Sequence, residues 1–240
     1  MLLCLGVDFA HKNRIFALRV LEQLQARHGW AGHLVLAGPR ASPGSSAPDD
    51  QAYLRAHEAV AAATTVLGQV TEEEKRWLLD HATLVIAPST YEGFGLIPFE
   101  AAEAGVPCLY APQGAMAEVL PPELARIEPW DAAETADRAA ALMADPTESG
   151  RLVEAIRAAA SGYPWDSTAR ELLRVYREAA NAPSRDLIVE LAGTSGGLQE
   201  PTLELAKVTR FLRTYGVVQG SMRGGRALVG RLRRRLRHGS

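Results

Sequence analysis

Short, unbroken apolar runs recur along this chain, and between each pair lies a stretch patterned as an amphipathic helix. The runs are "LLCLGV" (2 to 7), "HLVLAG" (33 to 38), "TTVLGQV" (64 to 70), "TLVIAP" (83 to 88), "VPCLYA" (106 to 111) and a weaker sixth, "LARIEP" (124 to 129). A strand with one wet face shows polar residues at alternate positions, so continuous runs belong to a sheet covered on both faces. Helical patterns occupy 13 to 28, 48 to 62, 71 to 81, 96 to 104, 131 to 144 and 147 to 160. Strand alternating with helix at this spacing predicts an α/β fold built on a doubly wound parallel sheet. Such sheets bind ligands beyond the carboxyl ends of their strands, which directs attention to loops 8 to 12, 38 to 47, 68 to 71, 88 to 95 and 111 to 116. One of these lies in "GPRASPGSSAPDD" (38 to 50), whose Pro, Gly and Ser content predicts a mobile surface loop.

At 240 residues and 47% hydrophobic content the chain can bury a sizeable core. No stretch approaches the roughly 20 apolar residues of a membrane span. The start, "MLLCLGVDFAHKN", is too short and lacks the cations of a secretory signal, so a cytoplasmic location is the expectation. Cys4 and Cys108 both fall inside apolar runs, which predicts core thiols and neither a disulfide nor a zinc site. The net charge of -2 hides an asymmetry: residues 207 to 240 carry Lys207 and nine arginines with no acid, so the remainder is strongly acidic. The expected organisation is a domain over 1 to 181, a linker over 182 to 200 and a basic tail over 201 to 240.

Two stretches carry chemistry. In "DFAHKNRIFALRVLEQL" a strand end runs into a helix with Asn13 as its expected N-cap, and His11, Lys12 and Arg14 crowd a helix start that normally favours acids. A phosphate held by amides and the Lys12 ammonium fits this pattern, and so do plain solvated cations. In "STYEGFGLIPFEAAEAGVPC", Gly93 and Gly95 bracket Phe94 ahead of a helix begun by Pro98, and the amides of 93 to 95 form a second edge suited to anions. Glu92 sits in the loop and Glu100 in the first turns of the helix, close enough for both carboxylates to face one ligand. A glycosidase-type acid and nucleophile pair, or two ordinary surface acids, fit the same spacing. Neither a dinucleotide-binding Gly-x-Gly-x-x-Gly after the first strand nor a P-loop is present.

The run Glu92-Gly-Phe-Gly-Leu-Ile-Pro-Phe-Glu100-Ala-Ala-Glu-Ala-Gly-Val-Pro resembles the Glu-x7-Glu motif of retaining glycosyltransferases of the GT-B fold, in particular glycosyltransferase family 4, the group 1 type. "GVDFAHKN" is similar to that family's phosphate-binding lysine loop, "HLVLAGP" and "TVLGQVTEEEKRWLLDHATLVIAPS" to its middle strands, "APQGAMAEVL" to its glycine loop and "YPWDSTARELLRVYREA" to its closing helix. The resemblance implies a Rossmann-like donor domain that binds a nucleotide-diphosphate sugar without a metal or other cofactor. Glu100 then accepts hydrogen bonds from ribose hydroxyls, Glu92 and the amides of Gly93 to Gly95 hold the donor sugar, and Lys12 neutralises the departing diphosphate, with Phe94, His11 and Asn13 beside it. The family places an arginine five residues before the lysine, where this chain has Val7.

The same resemblance implies an acceptor-binding half ahead of the first strand. Its absence from this sequence leaves three expectations: a fragment, a partner polypeptide that supplies the acceptor half, or a module that binds nucleotide-sugar without transferring it. An epimerase or phosphorylase of the same fold needs catalytic groups that cannot be placed here. In "RALVGRLRRRLR" (226 to 237), Leu228, Val229, Leu232 and Leu236 share one helical face against six arginines, which suits an anionic membrane surface on the cytoplasmic side. No aromatic interleaves those arginines, so nucleic acid is not the expected partner.

Overall fold

The computed structural model describes residues 1–121, 127 and 130–182. The predicted linker, the basic tail with its amphipathic run, and nearly all of the sixth apolar run therefore lie outside the described residues. Residues 1–175 form one compact unit, which carries all five strands.

Five of the six apolar runs form strands: β1 (Leu2–Leu5), β2 (Leu34–Ala37), β3 (Thr64–Val66), β4 (Leu84–Ala87) and β5 (Cys108–Tyr110). All pair in parallel, in the order β3-β2-β1-β4-β5. Every residue of β1, β2, β4 and β5 is buried, as continuous apolar runs require, whereas β3 at the sheet edge is half-buried to exposed. Each strand is shorter than its run, and the residues shed at its carboxyl end build the ligand-side loops.

The helices are α1 (Arg14–His28), α2 (Ala47–Ala56), α3 (Glu58–Ala62), α4 (Glu72–Asp80), α5 (Ile97–Glu103), α6 (Met116–Val119), α7 (Ala132–Ala144), α8 (Pro146–Ala160) and α9 (Trp165–Asn181). Right-handed crossovers put α1, α2 and α3 on one face of the sheet and α4 and α5 on the other. On the first face α1 packs against α7, and on the second α5 packs against α8. None of these helices is long and apolar enough to cross a membrane, among the described residues.

Three expectations need correction. The helix read over 48 to 62 is broken at His57, whose ring Nδ1 bonds the Tyr53 carbonyl at 2.8 Å while its amide turns to the Leu54 carbonyl. Loop 38 to 46 is not a free surface loop but is tied to the loop after β1. The Asp8 amide donates to the Pro39 carbonyl at 3.1 Å, the Ala10 amide to Gly44 at 3.0 Å and the Ser46 amide to Asp8 at 2.6 Å. Asn13 does stand at the N-cap of α1, but in the left-handed region (φ 51) and without a side-chain capping bond. An asparagine tolerates that backbone better than most residues, and this is what the position uses. Cys4 and Cys108 are buried free thiols, and burial pushes Cys4 up to about 11 and Cys108 higher still.

Candidate functional site

In a parallel sheet the direction of winding reverses once, and the loops on either side of the reversal part to leave a crevice. Here the reversal falls between β1 and β4. The loop after β1 makes a short 3₁₀ turn, Ala10–Lys12, and the loop after β4 carries Glu92. Thr90 fastens the two, donating its amide (2.8 Å) and its hydroxyl (3.3 Å) to the His11 carbonyl. Lys12 Nζ then donates to Glu92 Oε1 at 2.5 Å, with side chains only 19% and 15% exposed. From the far side the Ala115 amide donates to the Glu92 carbonyl at 3.3 Å.

Two glycines are required by close approach. Gly38 (φ 143) lies against the Gly6 carbonyl, where a Cβ would collide with backbone, and this brings the β1 and β2 loops together. Gly95 (φ 88) lies against the Met116 side chain in a left-handed backbone that itself favours glycine, seating the β4 loop on α6. Gly93 faces open space. The amides of Gly93, Phe94 and Gly95 donate to no acceptor among the described residues. The Phe94 ring packs between Phe99 (centroids 5.7 Å apart) and Tyr163 (5.5 Å, edge-on).

These loops enclose a cleft of about 480 Å³, lined by Gly6, Val7 and Lys12 on one side and by Glu92, Phe94, Gly95 and Glu100 on the other. Its third side comes from α4. Thr71 caps that helix, accepting from the Glu74 amide at 3.1 Å while its own amide donates to the Glu74 carboxylate at 2.7 Å. Anchored one turn on, Lys75 donates to Glu72 Oε2 at 2.7 Å and to Glu100 Oε1 at 3.2 Å. The bond to Glu72 and the charge of Glu100 outweigh partial burial and hold the Lys75 ammonium above its ordinary range. Glu100 Oε2 is buried and has no partner among the described residues.

Of the residues singled out in the sequence, Lys12, Glu92, Phe94, Gly95 and Glu100 line this one cleft, while His11, Asn13 and Gly93 do not. The His11 ring stacks on Phe9 at the surface, and its carbonyl is what serves the site. Asn13 faces a separate cavity of about 340 Å³ behind the loop, shared with Arg14 and Asp50. Sequence reasoning missed Lys75 and Glu72, and the only signal for them was the capped acidic start of α4.

Arg14 is no solvated cation. It is 3% exposed, and its guanidinium bonds the Gly6 carbonyl from behind the cleft. Beside it, burial disfavours the charge on Asp8, but the Ala41 amide, the Ser45 hydroxyl (2.6 Å) and the charges of Arg14 and Arg40 hold the carboxyl below its usual range. Burial drives Asp50 the other way, against the Ser46 hydroxyl and Arg14. Lys12 is thus the only cation of the His11–Arg14 run whose side chain lines the cleft.

Residues 1–159 match the family model described as glycosyl transferases group 1. The chain belongs to that family. It is 30% identical to the D-inositol 3-phosphate glycosyltransferase of Frankia alni over 150 residues, 60% of this chain and 36% of that protein. It is also 35% identical to the MMP alpha-(1->4)-mannosyltransferase of Mycolicibacterium hassiacum over 114 residues, 46% of this chain and 28% of that one. This group 1 chain therefore spans about a third of the length of the curated relatives it matches. Among solved structures, sucrose-phosphate synthase from Thermosynechococcus elongatus superposes with a TM-score of 0.62 at 23% identity, covering 76% of this chain and 46% of that one. Anabaena HepE in complex with UDP gives 0.61 at 15% identity, covering 74% and 48%. At these identities the likeness is one of fold, and the fold is the Rossmann-like α/β architecture of GT-B glycosyltransferases.

Proposed function

We propose that this group 1 chain is the donor-binding half of a retaining glycosyltransferase, taking a nucleotide-diphosphate sugar in the cleft between β1 and β4. The observation that carries the reading is the meeting of Lys12, Glu92 and Glu100 in one cleft at the point where the sheet reverses. An ammonium at one end suits a diphosphate. Acceptor-only carboxylates suit the hydroxyls of ribose and of a sugar. Between them, the unpaired amides of Gly93 to Gly95 offer donors to phosphate oxygens. On this reading Lys12 leaves Glu92 for the diphosphate and stabilises the charge that develops as the sugar–phosphate bond breaks, and Glu92 is released to the sugar. The acceptor enters on the face the nucleotide leaves, and no metal ion is invoked. Acceptor contacts come from polypeptide corresponding to the part of the relatives that this chain does not span.

One observation favours a second reading, a module that binds nucleotide-sugar without transferring it. Val7 lines the cleft where the family resemblance calls for an arginine, and both ammoniums in the cleft, Lys12 and Lys75, are already engaged by carboxylates. Calorimetric titration with UDP, GDP, ADP and their sugars tests both readings at once. Binding of at least one nucleotide, weakened about tenfold or more in Glu100→Ala, supports the site. If none binds, or if Glu100→Ala binds as well as the parent, the assignment is wrong. Release of free sugar or transfer to an added acceptor then separates enzyme from binder.

A further inference from the structure

Nothing in the family resemblance assigns a role to Lys75, yet it is the residue on which the geometry of Glu100 depends. Glu100 Oε1 accepts from Lys75 Nζ at 3.2 Å, while Oε2 is buried without a partner among the described residues although the side chain as a whole is 30% exposed. A carboxylate on an open helix face samples several rotamers, and a hydrogen bond to one oxygen fixes the plane in which the other accepts. Lys75 is itself fixed by the capping box of α4 and by Glu72 in the same helix, so the restraint on Glu100 is anchored in secondary structure and not in a loop. Glu72, by contrast, is 86% exposed and reaches Lys75 from the solvent side.

We propose that Lys75 is a positioning residue that holds the Glu100 carboxylate at the cleft wall so that it accepts from a ribose hydroxyl, and that this pair makes the cleft selective for ribonucleotides over deoxyribonucleotides. The assignment rests on the nucleotide-sugar reading above. A carboxylate set in advance loses little entropy when the hydroxyl arrives, and a ligand lacking that hydroxyl leaves a buried acceptor unpaired. The discrimination therefore belongs to Lys75 and Glu100 together. Without Lys75 the carboxylate turns toward water, and the hydroxyl gains little by meeting it. Lys75 also offsets part of the negative charge that Glu72, Glu92 and Glu100 present to an incoming anion.

The test titrates UDP, GDP and ADP, each beside its 2′-deoxy counterpart, into the parent, Lys75→Met, Lys75→Arg and Glu72→Gln. For whichever base binds, the parent is expected to prefer the ribonucleotide by about tenfold. Lys75→Met is expected to shrink that preference to about twofold. Lys75→Arg, which keeps a donor and a charge within reach of Glu100, is expected to retain most of it. Glu72→Gln keeps an oxygen that can accept from Lys75 and leaves the capping box of α4 intact, so it is expected to cost much less of the ratio than Lys75→Met. A Lys75→Met protein that retains the full preference overturns the proposal. So does one that loses affinity for ribo- and deoxyribonucleotides equally, because a general electrostatic or structural role has that signature. If the parent binds no nucleotide, the functional reading itself fails and this assignment falls with it. If the parent binds and prefers ribonucleotides and only the ratios of the Lys75 variants disagree, the failure is confined to Lys75.

Discussion

Two lysines face three carboxylates in one cleft, and they are held in opposite ways. Lys12 sits at the end of a 3₁₀ turn and has a single carboxylate partner, Glu92, on another loop. Lys75 sits inside a capped helix and divides itself between Glu72 of that helix and Glu100 of α5. The first pair is short and shielded, with no further acid to share the charge. The second is longer and more open to water, its side chains 25% and 30% exposed. A single pair between loops can be exchanged for a better anion at modest cost, because neither partner is locked by a helix. A divided pair anchored in a helix works as a brace. On the proposed donor-binding reading, the end of the cleft that would take phosphate is thus built to rearrange and the end that would take ribose to stay fixed.

Breaking Lys12 gives the largest expected effect. Lys12→Met should weaken nucleoside diphosphate binding about a hundredfold, because it removes the one cation free to turn to the phosphates and leaves Glu92 to repel them. The corresponding loss for Lys75→Met is about fivefold and falls chiefly on ligands with the ribose hydroxyl. Equal losses for the two variants, measured by calorimetry, would erase the distinction between exchange and brace.

A smaller effect of opposite sign sharpens the contrast. Glu92→Gln frees Lys12 from its competitor, so free UDP or GDP should bind about threefold more tightly, the scale of a partly exposed ion pair. The same variant should bind the matching nucleotide-sugar no better, having lost an acceptor for the sugar. Weaker binding of the free diphosphate would show that Glu92 organises Lys12 and does not compete for it.

The mildest change acts on the scaffold of the Lys12 end alone. Asp8 ties loop 38 to 46 to the loop that carries Lys12, through Ala41 and Ser45. Its folded pKa is lowered, so the stability it adds is present above its unfolded value near pH 4 and is lost as pH falls through the depressed folded value. Asp8→Asn should cost about 1 kcal/mol at neutral pH. In thermal unfolding the gap to the parent should close as pH drops below about 4. The ribose preference should be unchanged, since α4 and α5 are untouched. A gap that persists undiminished at low pH would remove Asp8's charge from the account.

Much of this arrangement is legible in the sequence. Each of the five strands falls within an apolar run read from the sequence, because a two-sided parallel sheet leaves no polar alternation to mislead. Glu92 and Glu100 could be placed on one ligand because a glycine loop and a proline-started helix fix their separation locally. Lys75 could not be linked to Glu100 in this way. Their meeting depends on α4 and α5 lying on the same face of the sheet, a consequence of strand order with no trace in either segment. The stapling of loop 38 to 46 is hidden for a related reason, since a buried aspartate gathers donors from a loop distant in sequence. The break at His57 is local by contrast: its ring takes the Tyr53 carbonyl four residues back, a competition that apolar periodicity does not register.

On the proposed reading, Lys12 and Glu100 hold the two ends of one nucleoside diphosphate. A crystal of the chain soaked with whichever of UDP, GDP or ADP binds in solution is expected to show the diphosphate within hydrogen-bond distance of Lys12 Nζ and the amides of Gly93 to Gly95, with Glu92 turned away and a ribose hydroxyl on the Glu100 carboxylate. A nucleotide seated instead in the cavity behind α1, against Arg14 and Asp50, or one that leaves the Lys12–Glu92 bond intact, would contradict that reading.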